Sequence, residues 1–224
     1  MNDDKTLAWP VYLLLLVVVS FQILYGIGAA PLLDPDEPVY AETAKEMIRF
    51  GDYLSPRIYN EYWYDKPPIF YWMVAASFKI FGGFSEIAAR LPAALMAIGA
   101  ILMTALASAR LFGARTGFWS GITMGTSVML MYMGKASVTD TTLLFFVTAA
   151  LFSFIHRHYW FMYIACGFAV MTKGPIGVVF PGAIIFFYLL LTHRLEEFLR
   201  MHVVRGLLLV VAVGLPWYGY MYAV

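Results

Sequence analysis

Residues 34–42 read Asp-Pro-Asp-Glu-Pro-Val-Tyr-Ala-Glu, and residues 64–68 read Tyr-Asp-Lys-Pro-Pro. Together they mark the one long polar stretch in a chain of 224 residues that is 62% hydrophobic and 13% charged, with mean hydropathy +0.74. Of the 14 acidic residues, Asp34, Asp36, Glu37, Glu42, Glu46, Asp52, Glu61 and Asp65 all lie in this stretch. A soluble domain of this size carries about 25% charged residues. Apolar runs suited to crossing ~30 Å of hydrocarbon recur instead along the sequence. They are continuous rather than alternating, which argues against a β-barrel. The fold expected is all-α: a polytopic transmembrane protein of about seven spans, with its carboxylates gathered in a first outer loop over 31–86.

The spans read from the apolar runs are about 8–30, 87–112, 116–133, 141–155, 159–172, 176–192 and 206–224. Asp3, Asp4 and Lys5 make a poor positive leader, and Ala29-Ala30-Pro31 is a weak cleavage site, so the first run reads as an anchor. Pro31 and Pro35 end it, since proline has no N–H to give. Residues 38–50 have helical spacing, with Tyr40, Ala41, Ala44, Met47 and Ile48 on one face and Glu42, Lys45, Glu46 and Arg49 opposite. Gly51 suits the end of that helix, which would lie in the membrane interface. Residues 67–81 are apolar but short, with Pro67-Pro68 at a helix start. Gly214 and Pro216 interrupt the last run.

Orientation follows from the short loops. Arg110, Arg115, Arg157, Arg194, Arg200 and Arg205 fall on alternate loops, together with Lys5. The opposite short loops carry only Lys135 and Lys173. This places the amino terminus in the cytoplasm and the acidic loop outside, although that loop carries basic residues of its own. The parity also requires residues 67–81 to be interfacial or re-entrant.

The absence of a basic tract argues against nucleic acid. The single Cys166 lies in an apolar run and reads as a packing residue. No P-loop, dinucleotide fingerprint or zinc-type Cys/His spacing occurs. Asp34, Asp36 and Glu37 stand at the outer end of the first span, where carboxylates can serve as base, metal ligand or sugar-hydroxyl acceptor. The bland alternative is a solvated loop, and the flanking prolines, which fix the backbone, weigh against it. Lys66 precedes two prolines on an extended backbone; it can hold a phosphate or simply snorkel. Asp140 opens an apolar run and can be an N-cap as well as a functional group. Lys173 sits in a Thr-Lys-Gly-Pro break between apolar runs, as a cavity-lining loop would. Aromatics near 59–64 and 70–72 fit an interfacial belt, and some suit stacking on sugar.

Five motifs in order then resemble the GT-C type of membrane glycosyltransferase, in the bacterial branch related to the lipid A aminoarabinose transferase and the protein O-mannosyltransferases. They are Asp-Glu-Pro-Val-Tyr-Ala-Glu from Asp36, Tyr-Asp-Lys-Pro-Pro from Tyr64, Ala-Ala-Arg-Leu-Pro from Ala88, Met-Thr-Lys-Gly-Pro from Met171 and Leu-Pro-Trp-Tyr from Leu215. The resemblance implies transfer of a sugar from a polyprenyl-phosphate donor to a lipid (lipid A or lipopolysaccharide-like) or protein acceptor at the outer face of a bacterial inner membrane. It makes Asp36, Glu37 and Asp140 the catalytic residues, with Asp36 the base, and Lys66 and Lys173 the donor-phosphate ligands. Tyr40, Tyr64 and Arg57 are expected to line the substrate site. No cofactor is required by the pattern, no metal ligand is assigned, and a divalent cation stays open.

Family members are longer, so 1–224 is expected to be a single transmembrane GT-C module without their C-terminal spans and soluble outer domain. The competing expectations are a non-catalytic subunit or half-enzyme needing a partner chain, and a transporter of lipid-linked sugars, for which no internal repeat is seen.

Overall fold

The computed structural model describes residues 9–33 and 35–223; Asp34 and Lys5, singled out above, lie outside them. Helix α1 spans Trp9–Leu24, and α2, Asp36–Phe50, begins the polar loop. Pro38 stands in the first turn of α2, where its missing N–H costs nothing, and Gly51 ends the helix at φ 66°. A two-stranded antiparallel hairpin follows, β1 (Arg57–Ile58) on β2 (Glu61–Tyr62). Tyr59 and Asn60 turn it with positive φ. Helix α3, Ile69–Phe81, is next. At 13 residues it is about 20 Å long, short of a ~30 Å span.

Helix α4, Glu86–Phe112, is the axis of the molecule. It is capped by the Ser85 side chain, which accepts from the Ala88 N–H. It packs against α1, α3, α5 (Ala114–Gly125), α6 (Val128–Gly134) and α7 (Asp140–Ile155). Small residues permit this crowding. Ala93, Ala94, Ala97, Ala100 and Ala105 on α4 are fully buried. On α5 a Cβ at Gly117 would stand 2.5 Å from the Ala105 carbonyl oxygen. The remaining helices are α8 (Tyr159–Lys173), α9 (Ile176–Leu191), the short α10 (Glu197–Arg200), α11 (Val203–Gly214) and α12 (Pro216–Ala223). One hydrophobic cluster joins α1 to α4, a second joins α7, α8, α9 and α11, and a third lies beneath α2 and α3.

Two expectations change. The run 116–133 is not one helix: it divides into α5 and α6 at Thr126-Ser127. The Thr126 hydroxyl donates back to the Ile122 carbonyl at 2.8 Å and Ser127 is extended, the side-chain competition that bends helices. Glu46 is not on a solvent face. It is 3% exposed, and its carboxylate accepts from the Asn60 N–H at 3.2 Å, so the hairpin folds over it.

Only α4 is by itself long and apolar enough to cross a membrane among the described residues. Helices α11 and α12 qualify together, bent by 48° at a break opened by Pro216. Helices α1, α3, α7 and α9 are shorter apolar helices. These make six apolar elements among the described residues, and a count of seven spans goes beyond them.

Candidate active-site cleft

The site rests on a buried ion pair. Glu37 and Arg90 have side chains 4% and 5% exposed and meet through two contacts of 2.8 Å, Nε to Oε1 and Nη2 to Oε2. The remaining capacity of both groups is spent on the backbone. Arg90 donates to the carbonyls of Ile27, Ala30 and Pro31, each at 2.8 Å. Glu37 accepts from the Leu33 N–H at 2.8 Å and the Ser137 N–H at 2.6 Å. Burial works to raise the Glu37 carboxyl, but the Arg90 guanidinium and the two N–H groups outweigh it and hold it below the usual carboxylate range. A buried pair is tolerable only when its other hydrogen-bonding positions are filled, as they are here.

This node ties the segment after α1, the start of α2, the first turns of α4 and the turn before α7. It therefore fixes Asp36, next to Glu37, and Asp140, three residues beyond Ser137. The sequence gives Glu37 a catalytic role; in the structure its oxygens are already committed. Asp36 is exposed at the first turn of α2.

The cleft lies across α3, α8, α9 and α12. It measures about 480 Å³ and is lined by Tyr64, Lys66, Lys173, Pro175, Trp217 and Tyr218, among others. Lys66 arrives from the Lys-Pro-Pro turn before α3, and Lys173 from the last residue of α8. Gly174, at φ 81°, and Pro175 turn the chain directly into α9. A Cβ at Gly177 would meet the Ala169 backbone at 2.2 Å, so α8 and α9 touch below the cleft. The Lys173 ammonium donates to Asp140 at 2.9 Å, which joins the start of α7 to the same cleft. Lys66 pairs with its neighbour Asp65 at 3.1 Å. The Trp217 indole donates to the Leu54 carbonyl at 2.8 Å and closes one wall onto the polar loop.

The structure thus brings together Lys66, Lys173, Asp140 and Tyr64. Tyr40 and Arg57 do not line the cleft. Tyr40 is buried between Phe70 and Tyr71. Burial raises its phenol, whose surroundings include Thr139 and the charges of Lys66, Asp36 and Asp65. Asp36 is likewise not among the residues that line the cleft. Arg57 pairs with Asp52 at 3.3 Å and lies 4.6 Å over the Tyr62 ring, which in turn stacks on Tyr64. Its part in the cleft is to hold up that stack. Sequence reasoning passed over Arg90 and Trp217. The signal for Arg90 was an arginine inside an apolar helix, which demands a partner; that for Trp217 was its place in Leu-Pro-Trp-Tyr. Among the described residues no three His, Cys, Asp or Glu side chains converge as metal ligands would.

A helical membrane fold with lysines from two separated motifs meeting at one cleft defines a GT-C glycosyltransferase architecture. The comparisons agree. Residues 65–220 match the family model described as dolichyl-phosphate-mannose-protein mannosyltransferase, and the chain belongs to that family. It is 31% identical over 221 residues to an uncharacterized protein of Aquifex aeolicus, covering 95% of this chain and 44% of that one. It is 29% identical over 208 residues to the undecaprenyl phosphate-alpha-4-amino-4-deoxy-L-arabinose arabinosyl transferase of Aeromonas salmonicida, covering 87% of this chain and 37% of the relative. The crystal structure of ArnT from Cupriavidus metallidurans bound to undecaprenyl phosphate superimposes with a TM-score of 0.87 at 26% identity, covering 95% of this chain and 42% of ArnT. The chain thus spans about two-fifths of the length of the curated relatives it matches.

Proposed function

We propose that this chain carries the donor-binding and catalytic part of a polyprenyl-phosphate-dependent glycosyltransferase with a lipid acceptor. The observation that carries the reading is the meeting of Lys66 and Lys173 in one cleft, with Asp140 bonded to the second lysine. Two ammonium groups at an interface suit a monoester phosphate, whose charge they compensate. The likeness to an ArnT that holds undecaprenyl phosphate supports the same donor chemistry.

In the reaction an acceptor hydroxyl or phosphate oxygen attacks the anomeric carbon, and the bond from that carbon to the polyprenyl phosphate oxygen breaks. Asp36 takes the proton of a hydroxyl acceptor, or orients the acceptor when it is already anionic. Lys66 and Lys173 neutralise the departing phosphate, and Asp140 holds Lys173 in place between turnovers. Glu37 and Arg90 act behind them by fixing the backbone that carries Asp36.

The orientation proposed has the cleft on the outer face and the arginine-rich ends of α7, α9 and α10 in the cytoplasm, following the short loops. In this arrangement α1, α4, α5 with α6, α7, α8, α9 and α11 with α12 form seven spans, while α2 and α3 lie in the interface.

The test is sugar transfer by the chain reconstituted in vesicles with a mixture of polyprenyl-phosphate sugars and lipid acceptors, beside Asp36→Asn. Release of polyprenyl phosphate that vanishes in the variant supports the reading. Equal release by both proteins overturns the role of Asp36, and release by neither overturns catalysis by this chain.

A further inference from the structure

A second cavity lies at the opposite end of the helices from the cleft. Helices α7 and α9 begin beside the cleft, at Asp140 and Ile176, and each has 16 residues. Their far ends are therefore about 24 Å away. There they line a groove of about 390 Å³. Its walls are apolar, including Leu151 and Phe154 of α7 and Ile184 and Tyr188 of α9, while Arg157 and Arg194 stand at one end.

Both arginines follow helix ends closed in the same way. Each helix terminates in a positive-φ residue that is not glycine, Arg157 at 59° after α7 and His193 at 54° after α9. Each is followed by a backbone bond reaching back over the last turn, His158 N–H to Ser153 and Arg194 N–H to Leu189, both at 2.8 Å. This closure satisfies the last carbonyls of both helices and holds the two arginines directly beyond their ends.

The charge at this end is net positive, with Arg157, Arg194 and Arg200 against Glu196 and Glu197. Glu197 is the acidic residue lining the groove, and it is already engaged: the Tyr159 hydroxyl donates to it, Arg157 lies at 3.9 Å and Arg200 at 3.6 Å. Arg194 has no ion-pair partner among the described residues. Cations at helix C-termini also serve the helix dipole, but that role needs no apolar groove beside them.

We propose that this groove binds one anionic phospholipid of the cytoplasmic leaflet, its acyl chain between α7 and α9 and its phosphate between Arg157 and Arg194. Apolar walls closed at one end by a net positive rim match an amphiphile with a negative headgroup, and not a soluble anion, which would leave the walls wet. The leaflet rests on the orientation proposed above; the groove and its charge do not.

The experiment is photolabelling of the intact chain in vesicles with a phosphatidylglycerol or a phosphatidylcholine carrying a photoreactive acyl chain, mapped by mass spectrometry. The expected result is labelling of α7 and α9 segments by the phosphatidylglycerol probe well above the phosphatidylcholine probe. Removing both arginines (Arg157→Ala with Arg194→Ala) should lower it by about five-fold for each charge lost. Glu197→Gln, which removes the one acidic group at the rim, should raise it. Equal labelling by the two probes, no labelling of these segments, or indifference to all three substitutions overturns the proposal. Far-UV circular dichroism melts of each variant, unchanged from the parent, tie the loss to the site and not to the fold. Because no transfer assay enters, failure here leaves the glycosyltransferase reading standing, and the reverse holds as well.

Discussion

Replacing Arg90 by methionine should be the most damaging single change outside the cleft. Methionine retains most of the aliphatic length and fills the space, so the cost isolates the guanidinium. Its loss strands the Glu37 carboxylate, 3% exposed, with only the Leu33 and Ser137 N–H groups for company. The carbonyls of Ile27, Ala30 and Pro31 lose their shared donor as well. Breaking a buried pair from one side costs about 3–5 kcal/mol, a large share of a total stability that is typically about 5–15 kcal/mol. Denaturation of the reconstituted protein, followed by the fluorescence of its six tryptophans, measures the loss. The double variant Glu37→Leu with Arg90→Met should be no worse than Arg90→Met alone, because the stranded charge has gone with its partner. A single variant within about 1 kcal/mol of the parent, or a double variant whose loss is the sum of the two singles, would refute the node as the element that joins α1, α2, α4 and α7.

The same node sets a pH dependence. The folded Glu37 carboxyl lies below its unfolded value of about 4.3, so its contribution is complete above that value and disappears as the pH falls through the folded one. Acid titration should show stability dropping below about pH 4, and Glu37→Gln, less stable at neutral pH, should show a flatter profile there. Gly177→Ala should cost about 1–3 kcal/mol, since its Cβ would enter the Ala169 backbone. Gly182→Ala, with nothing within 4 Å in the same helix, should gain up to about 1 kcal/mol; thermal melts of the two variants compare them directly. Lys66→Met should slow sugar transfer by about 10²–10³-fold, with Lys66→Arg recovering part of the rate; an unaltered rate in the methionine variant would remove Lys66 from the reaction.

The helices were largely legible because their signals are local. Gly51 and Gly82 close α2 and α3 in the left-handed region, where side chains are disfavoured and glycine is not. Pro216 breaks α11 from α12 for want of an N–H. The division of α5 from α6 escaped because Thr126 and Ser127 are unremarkable in an apolar run, and only the back-bonded hydroxyl reveals the bend. Within the cleft the lysines could be nominated one by one, each from its proline- or glycine-flanked setting. That they converge depends on Ile69 of α3 packing with Met171 of α8 and Trp217 of α12, a pairing no periodicity reports. Glu37 illustrates the opposite failure. Beside Asp36 in sequence it looks equivalent, yet successive residues on a helix point some 100° apart, and one faces solvent while the other faces Arg90.

The bond from Trp217 to the Leu54 carbonyl joins residues 163 positions apart. A ribosome feeding this chain into a membrane delivers Lys66 about 150 residues before Trp217, so the nascent protein carries that lysine well before the wall beside it exists. Until α12 is made and folds back at its 48° bend, the cleft is a half-built channel. The cleft would then be completed in one discrete step of biogenesis, and a chain stalled short of Trp217 would be inserted with that wall missing.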